Sequence, residues 1–141
     1  HLVKDANTEI KRNFISKKTR DLVRLGMLGA CTNGGTAYSF FNFVVNNKKI
    51  KIDNKDYLPE ASESAKLVRE TPGNVKVLVG CKTGTAETGG KETEPHSWIT
   101  VIAPFHKPEI VMTVLVENGG EGSKVAGPIA TEILTKYFER K

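Results

Sequence analysis

With 141 residues, 38% apolar and 26% charged side chains, the chain matches one soluble globular domain able to bury a core. It contains no run of twenty apolar residues and no internal repeat, so a membrane-spanning helix and a solenoid are not expected. The net charge of +5 comes without aromatic–basic interleaving or zinc-finger spacing, so nucleic acid is not an expected partner.

The charge is concentrated in two stretches, before residue 25 and from Lys48 to Lys55, and reads as a solvated face or one drawn to an anionic wall or membrane surface. The chain begins at His1, which reads as a piece of something longer.

Ser16 to Cys31, SKKTRDLVRLGMLGAC, is a predicted helix. Leu22, Leu25 and Leu28, with Val23 and Met27 beside them, form an apolar stripe at helical spacing. Ser16 or Thr19 can cap its start, and Asn33-Gly34-Gly35 stops it. From Asn46 to Asn74 the character turns polar and lysine-rich, as expected of a solvated insertion with a short helix around Glu60 to Glu70.

Three strands are predicted next. Val75, Val77 and Val79 alternate with Lys76, Leu78 and Gly80, running into VGCKTGTAE. Trp98 to Ala103 and Ile110 to Val116 are apolar on both parities, which predicts a sheet covered on both faces. Pro104 to Pro108 is a connection of hairpin length, so these strands should pair antiparallel. A last helix runs from Ser123 to about Arg140. Val125, Ile129, Ile133 and Tyr137 lie on one row and Ala126, Ala130, Leu134 and Phe138 on the next, a broad stripe to bury against a sheet. The expected class is α/β (α+β): an antiparallel sheet flanked by helices, with part of the sheet supplied from elsewhere.

The most chemically pointed stretch is Val79 to Glu87. It is no P-loop, because Cys81 rather than glycine precedes Lys82 and no helix start follows. As a strand it places Thr83 and Thr85 on one side and Lys82 on the other, with Gly84 leaving the backbone open. Two hydroxyls, a lysine and bare N–H groups at a sheet edge suit a carboxylate or a developing oxyanion. A plain strand end running into a glycine-rich turn is the alternative.

The segment KTGTAE resembles the third motif of the penicillin-binding protein transpeptidases, shared with serine β-lactamases. GMLGACTNGGTAYSFF, HSWITVIAPFHKPEIVMTVLVENGG and VAGPIATEIL resemble, in family order, the segments around that box in the class B, elongation-type enzymes. The resemblance implies a partial penicillin-binding-protein/serine β-lactamase-like fold. The implied activity is peptidoglycan D,D-transpeptidation, acyl transfer from a D-Ala-D-Ala stem peptide through a serine ester, blocked by β-lactams. It implies that Lys82 hydrogen-bonds the serine of the second motif and that Thr83 and Thr85 bind the substrate carboxylate. The Thr85 N–H would form half of an oxyanion hole, with Gly84 part of the same wall.

The family's S-x-x-K and S-x-N motifs are missing: Ser16 is followed by Thr19 at the fourth position, Ser62 by Ala65 and Ser64 by Leu67. The expectation is therefore the C-terminal portion of a transpeptidase domain, 1–141, with an insertion at about 46–74 and no covalent chemistry of its own. Its implied partners are the N-terminal half of that domain, stem peptide, β-lactams and other cell-wall elongation proteins. The implied place is extracytoplasmic, with a membrane anchor outside this chain. A β-lactamase or D,D-carboxypeptidase fragment, or a non-catalytic wall-peptide module, are the other readings.

No cofactor is required. Cys31 and Cys81 could form a disulfide, stay as buried thiols, or bind a structural zinc with His96. His96 and Trp98 match the family's H-A-W pattern, which implies packing beside the cleft. His106 should be exposed.

Overall fold

The computed structural model describes residues 14–47, 74–87, 89 and 93–141, so most of the polar excursion, including the helix expected around Glu60 to Glu70, lies outside the described residues. Helix α1 (Lys17–Ala30) starts where the Ser16 hydroxyl accepts the Thr19 amide at 3.0 Å. That bond satisfies one of the N–H groups that a helix start leaves without an intrahelical partner. A 3₁₀ turn (Tyr38–Phe40) follows, then β1 (Val44–Asn46), β2 (Asn74–Lys76), β3 (Gly80–Ala86), β4 (His96–Ala103), β5 (Ile110–Val116) and helix α2 (Ala126–Glu139).

The predicted strand from Val75 into the lysine–threonine stretch is in fact two strands in two sheets. β2 pairs antiparallel with β1, a strand that the sequence reading missed, with Asn46 opposite Asn74. The excursion thus leaves and re-enters the fold at adjacent residues. Between β2 and β3 the chain crosses over: the Val77 amide donates to Phe43 O at 3.0 Å, and Leu78 O accepts from Phe105 N at 2.7 Å. Val77 and Val79 are buried, so the alternation was real while the strand was not continuous.

The second sheet has the order β3-β4-β5, antiparallel throughout, with Cys81 opposite Val101 and Val101 opposite Met112. The connection from β4 to β5 is the expected hairpin, closed by Glu109 N donating to Ala103 O at 2.9 Å. Alternation sends Cys81, Ile99 and Val101 to one face, where they meet Phe40, Phe43, Ala126, Ala130, Leu134 and Phe138 in the core. The other face carries Lys82, Trp98, Thr100, Val111, Thr113 and Leu115. It was expected to be covered, yet among the described residues Val111 is 68% and Leu115 42% exposed.

Both helices also bury less than their sequence stripes predict. On α2 the row Ala126, Ala130, Leu134 and Phe138 is inside, but Ile129 and Ile133 are exposed. On α1 Leu28 is buried, whereas Leu22, Val23 and Leu25 are exposed. A helix lying on a three-stranded sheet covers only the part of its stripe that touches strands. Arg24, half-buried one turn before Leu28, holds α1 down, donating to the Phe105 carbonyl with its guanidinium 5.0 Å above the buried Phe105 ring.

Helix α2 has no cap from its own N-cap residue. Ser97, fully buried on β4, does that job from outside the helix, accepting the Ala126 amide at 3.0 Å and donating to Glu121 O at 3.2 Å. Asn47 acts at the other end, donating to the Phe138 carbonyl at 2.7 Å. His106, expected exposed, is half-buried with its ring edge-on to Phe105, 5.5 Å between centroids. No described helix is long and apolar enough to cross a membrane.

Candidate active-site wall

Strand β3 carries the candidate site along one sheet edge; β4 pairs with one side of it, and no described strand pairs with the other. An edge strand of this kind leaves backbone N–H and C=O groups available to an incoming extended peptide or to a carbonyl oxygen. Lys82 and Thr85 are exposed, and Thr83 and Gly84 are half-buried. The register places Lys82 and Gly84 on the open face with Thr100 and Trp98, and Thr83 and Thr85 on the helix-covered side with Ile99 and Ser97. Lysine and threonines thus project to opposite sides of one edge, as the alternation predicts.

The lysine ammonium donates to its neighbour's carbonyl, Thr83 O. The Thr83 hydroxyl is 2.8 Å from the hydroxyl of Thr36, which lies on the loop after α1. That contact spans 47 residues of sequence and was not foreseen; the N-G-G-T-A segment was noticed without any role for its threonine. His96 lies on the open-face parity opposite Ala86, and its Nδ1 accepts the Asn118 amide at 2.9 Å. This bond holds the ring against the left-handed turn at Asn118, where φ is 51°.

Cys31 and Cys81 are joined in a disulfide, with Cα atoms 5.8 Å apart, which corrects both the zinc reading of Cys31, Cys81 and His96 and the free-thiol reading. Zinc takes thiolates, and two sulphurs bonded to each other supply none. His96 is also remote, since Cys81 pairs with Val101, five positions along β4 from His96. Among the described residues, no group of three or more His, Cys, Asp or Glu side chains could hold a metal ion. The disulfide instead anchors the residue immediately before Lys82 to the end of α1.

Behind the edge, the loop from Glu117 to Lys124 is seated on the same strands. Glu121 receives Lys124 at 2.7 Å and the Ser123 hydroxyl, and these two, Lys124 foremost, hold its carboxyl below the ordinary carboxylate range. Gly122 is in closest contact: a Cβ there would lie 2.4 Å from both Gly84 O and Trp98 O. Only a residue without a side chain allows this approach. Gly122→Ala is therefore expected to push the loop off β3 and β4 and cost about 1–3 kcal/mol of stability. A urea unfolding curve for the variant checks it; a midpoint equal to the parent's would mean the loop shifts freely.

The sequence profile described as the penicillin binding protein transpeptidase domain matches residues 1–135. The peptidoglycan D,D-transpeptidase MrdA of Haemophilus influenzae is 39% identical over 86 residues, covering 52% of this chain and 13% of MrdA. The peptidoglycan D,D-transpeptidase PbpA of Mycobacterium tuberculosis is 35% identical over 85 residues, 55% of this chain and 17% of PbpA. Among solved structures, the penicillin-binding protein PBP2 of Helicobacter pylori in its complex with MreC superposes with a TM-score of 0.60 at 27% identity, over 96% of this chain and 20% of that one. The chain thus spans less than a fifth of the length of either curated relative.

Proposed function

Because the chain belongs to the penicillin-binding protein transpeptidase domain family, we propose that it is the C-terminal portion of a peptidoglycan D,D-transpeptidase domain and supplies one wall of its active site. The observation that carries this reading is the Lys82-Thr83-Gly84-Thr85 sheet edge, with Lys82 and Thr85 exposed, beside a sheet face on which Trp98, Val111 and Leu115 are left exposed among the described residues. A cleft needs a second wall. In this reading the face bearing Lys82, Val111 and Leu115 receives the part of the domain that carries the nucleophile.

The chemistry is acyl transfer. A serine oxygen from that other part attacks the carbonyl of the penultimate D-alanine of a stem peptide. The C–N bond to the terminal D-alanine breaks, its nitrogen takes a proton, and an ester remains. An amine from a second stem peptide then attacks the ester, forming the cross-link and releasing the serine. Lys82 holds positive potential beside the reacting hydroxyls, and the Thr83 and Thr85 hydroxyls bind the terminal carboxylate. The Thr85 N–H stabilises the oxyanion as negative charge develops. A β-lactam enters the same path, but its ring nitrogen stays tethered after the C–N bond opens, so the acyl-enzyme persists. Substrate chemistry puts the work outside the cytoplasmic membrane, with the anchor in a segment outside this chain and cell-wall elongation proteins as partners.

Intact-mass spectrometry after incubation with benzylpenicillin tests this assignment. The chain by itself should keep its mass, and the complete polypeptide that carries it should gain the mass of one whole penicillin. An adduct on the isolated chain would place the nucleophile among these residues and overturn the assignment. Rapid turnover of penicillin by the complete polypeptide would transfer the reading to a β-lactamase.

A further inference from the structure

Two hydroxyls 2.8 Å apart, one on the strand that bears Lys82 and the other on the loop after α1, share a single hydrogen bond. Resting on the carboxylate-binding reading of Thr83, we propose that Thr36 is a positioning residue that sets the direction of the Thr83 proton.

The argument begins with the hydroxyl inventory. Each threonine has one proton to donate and two lone pairs to accept with. A carboxylate only accepts, so Thr83 can bind it only by pointing its proton at it. The bond to Thr36 must then run the other way, with the Thr36 O–H donating to Thr83 Oγ1. Bound carboxylate thus selects one polarity of a two-bond relay, and the first bond strengthens the second by polarising Thr83.

The backbone around Thr36 fits a positioning role. Gly35 N donates to Thr32 O at 2.8 Å and Ala37 N to Ala30 O at 2.9 Å, so both neighbours of Thr36 are held. Gly35 presses against the end of α1 so closely that a Cβ there would lie 2.3 Å from Gly29 O. The Cys31–Cys81 disulfide joins that end of α1 to β3 two residues before Thr83. With loop and strand tied together, the hydroxyl pair needs no rearrangement when the carboxylate arrives.

The experiment measures acylation efficiency of the complete polypeptide with benzylpenicillin and with its methyl ester, which lacks the anionic carboxylate. Thr36→Val keeps the shape and removes the donor. It should lower acylation by the free acid roughly tenfold, as one hydrogen bond's loss implies, while the ester rate stays within twofold. Thr36→Ser should restore the rate. The double variant Thr36→Val/Thr83→Val should equal Thr83→Val alone, since Thr36 acts through Thr83. A free-acid rate within twofold of the parent, an equal fall with the ester, or additive effects would each overturn the proposal. A parent polypeptide that takes up no penicillin would overturn the carboxylate reading itself, and this proposal with it, before any variant is compared.

Discussion

Replacing Cys31 and Cys81 together by alanine is expected to lower the free energy of unfolding by about 4 kcal/mol. The bond joins residues 50 apart, and the chain-entropy cost of closing a loop of that length in the unfolded state gives this figure. The loop contains the whole polar excursion from Asn46 to Asn74, so without the cross-link the unfolded chain regains the freedom of a long, charged segment. Alanine suits both sites because both cysteines are buried, Cys81 completely, where a serine hydroxyl would add its own desolvation cost. Guanidinium unfolding with and without a dithiol reductant checks the prediction. The reduced parent and the double variant without reductant should both lose stability, and reductant should not shift the variant further. A loss below about 1 kcal/mol would mean that the bond constrains the unfolded chain far less than its loop length implies.

Lys82→Ala in the complete polypeptide should reduce acylation by penicillin a hundredfold or more, equivalent to about 3 kcal/mol of barrier. The ammonium is exposed at the sheet edge, engaged with the Thr83 carbonyl, and faces the side where the second wall is proposed to stand. Closing that wall lowers the local dielectric, and a charge worth little at an open surface becomes worth several kcal/mol to a developing anion. Stability should change by less than about 0.5 kcal/mol, because no packed group is removed. Acylation rates and a urea curve on the same preparation separate the two effects. Loss of rate together with loss of fold would make Lys82 a structural residue, and an unchanged rate would remove it from the site.

Much of this was legible in the residues. Ser16, the apolar spacing after it and the glycines at its end delimit α1 because capping and helical periodicity are local. The antiparallel β4–β5 pair follows from two apolar runs and a short proline-bounded connection. The opposite parities of Lys82 and the two threonines follow from strand geometry alone, and the resemblance of KTGTAE and its flanking segments carried the family assignment that the comparisons bear out.

Other features depend on which atoms meet across long stretches of chain. Periodicity marks Leu22, Leu25, Ile129 and Ile133 as apolar, but burial needs a partner surface, and among the described residues all four stay exposed. Alternation from Val75 to Gly80 cannot show a change of sheet, because the crossing is set by backbone bonds to Phe43 and Phe105. The Cys31–Cys81 bond, the Thr36–Thr83 hydroxyl pair and the seating of Gly122 on Gly84 join residues 50, 47 and 38 positions apart, and no local pattern encodes such distances. The residues by themselves therefore determined the two helices, the β4–β5 pair, the parities along the Lys82 strand and the family, because these rest on neighbours in sequence. Tertiary structure alone decided what holds the Lys82 strand in place, because those contacts exist only once the end of α1, the strand edge and the loop before α2 are packed together.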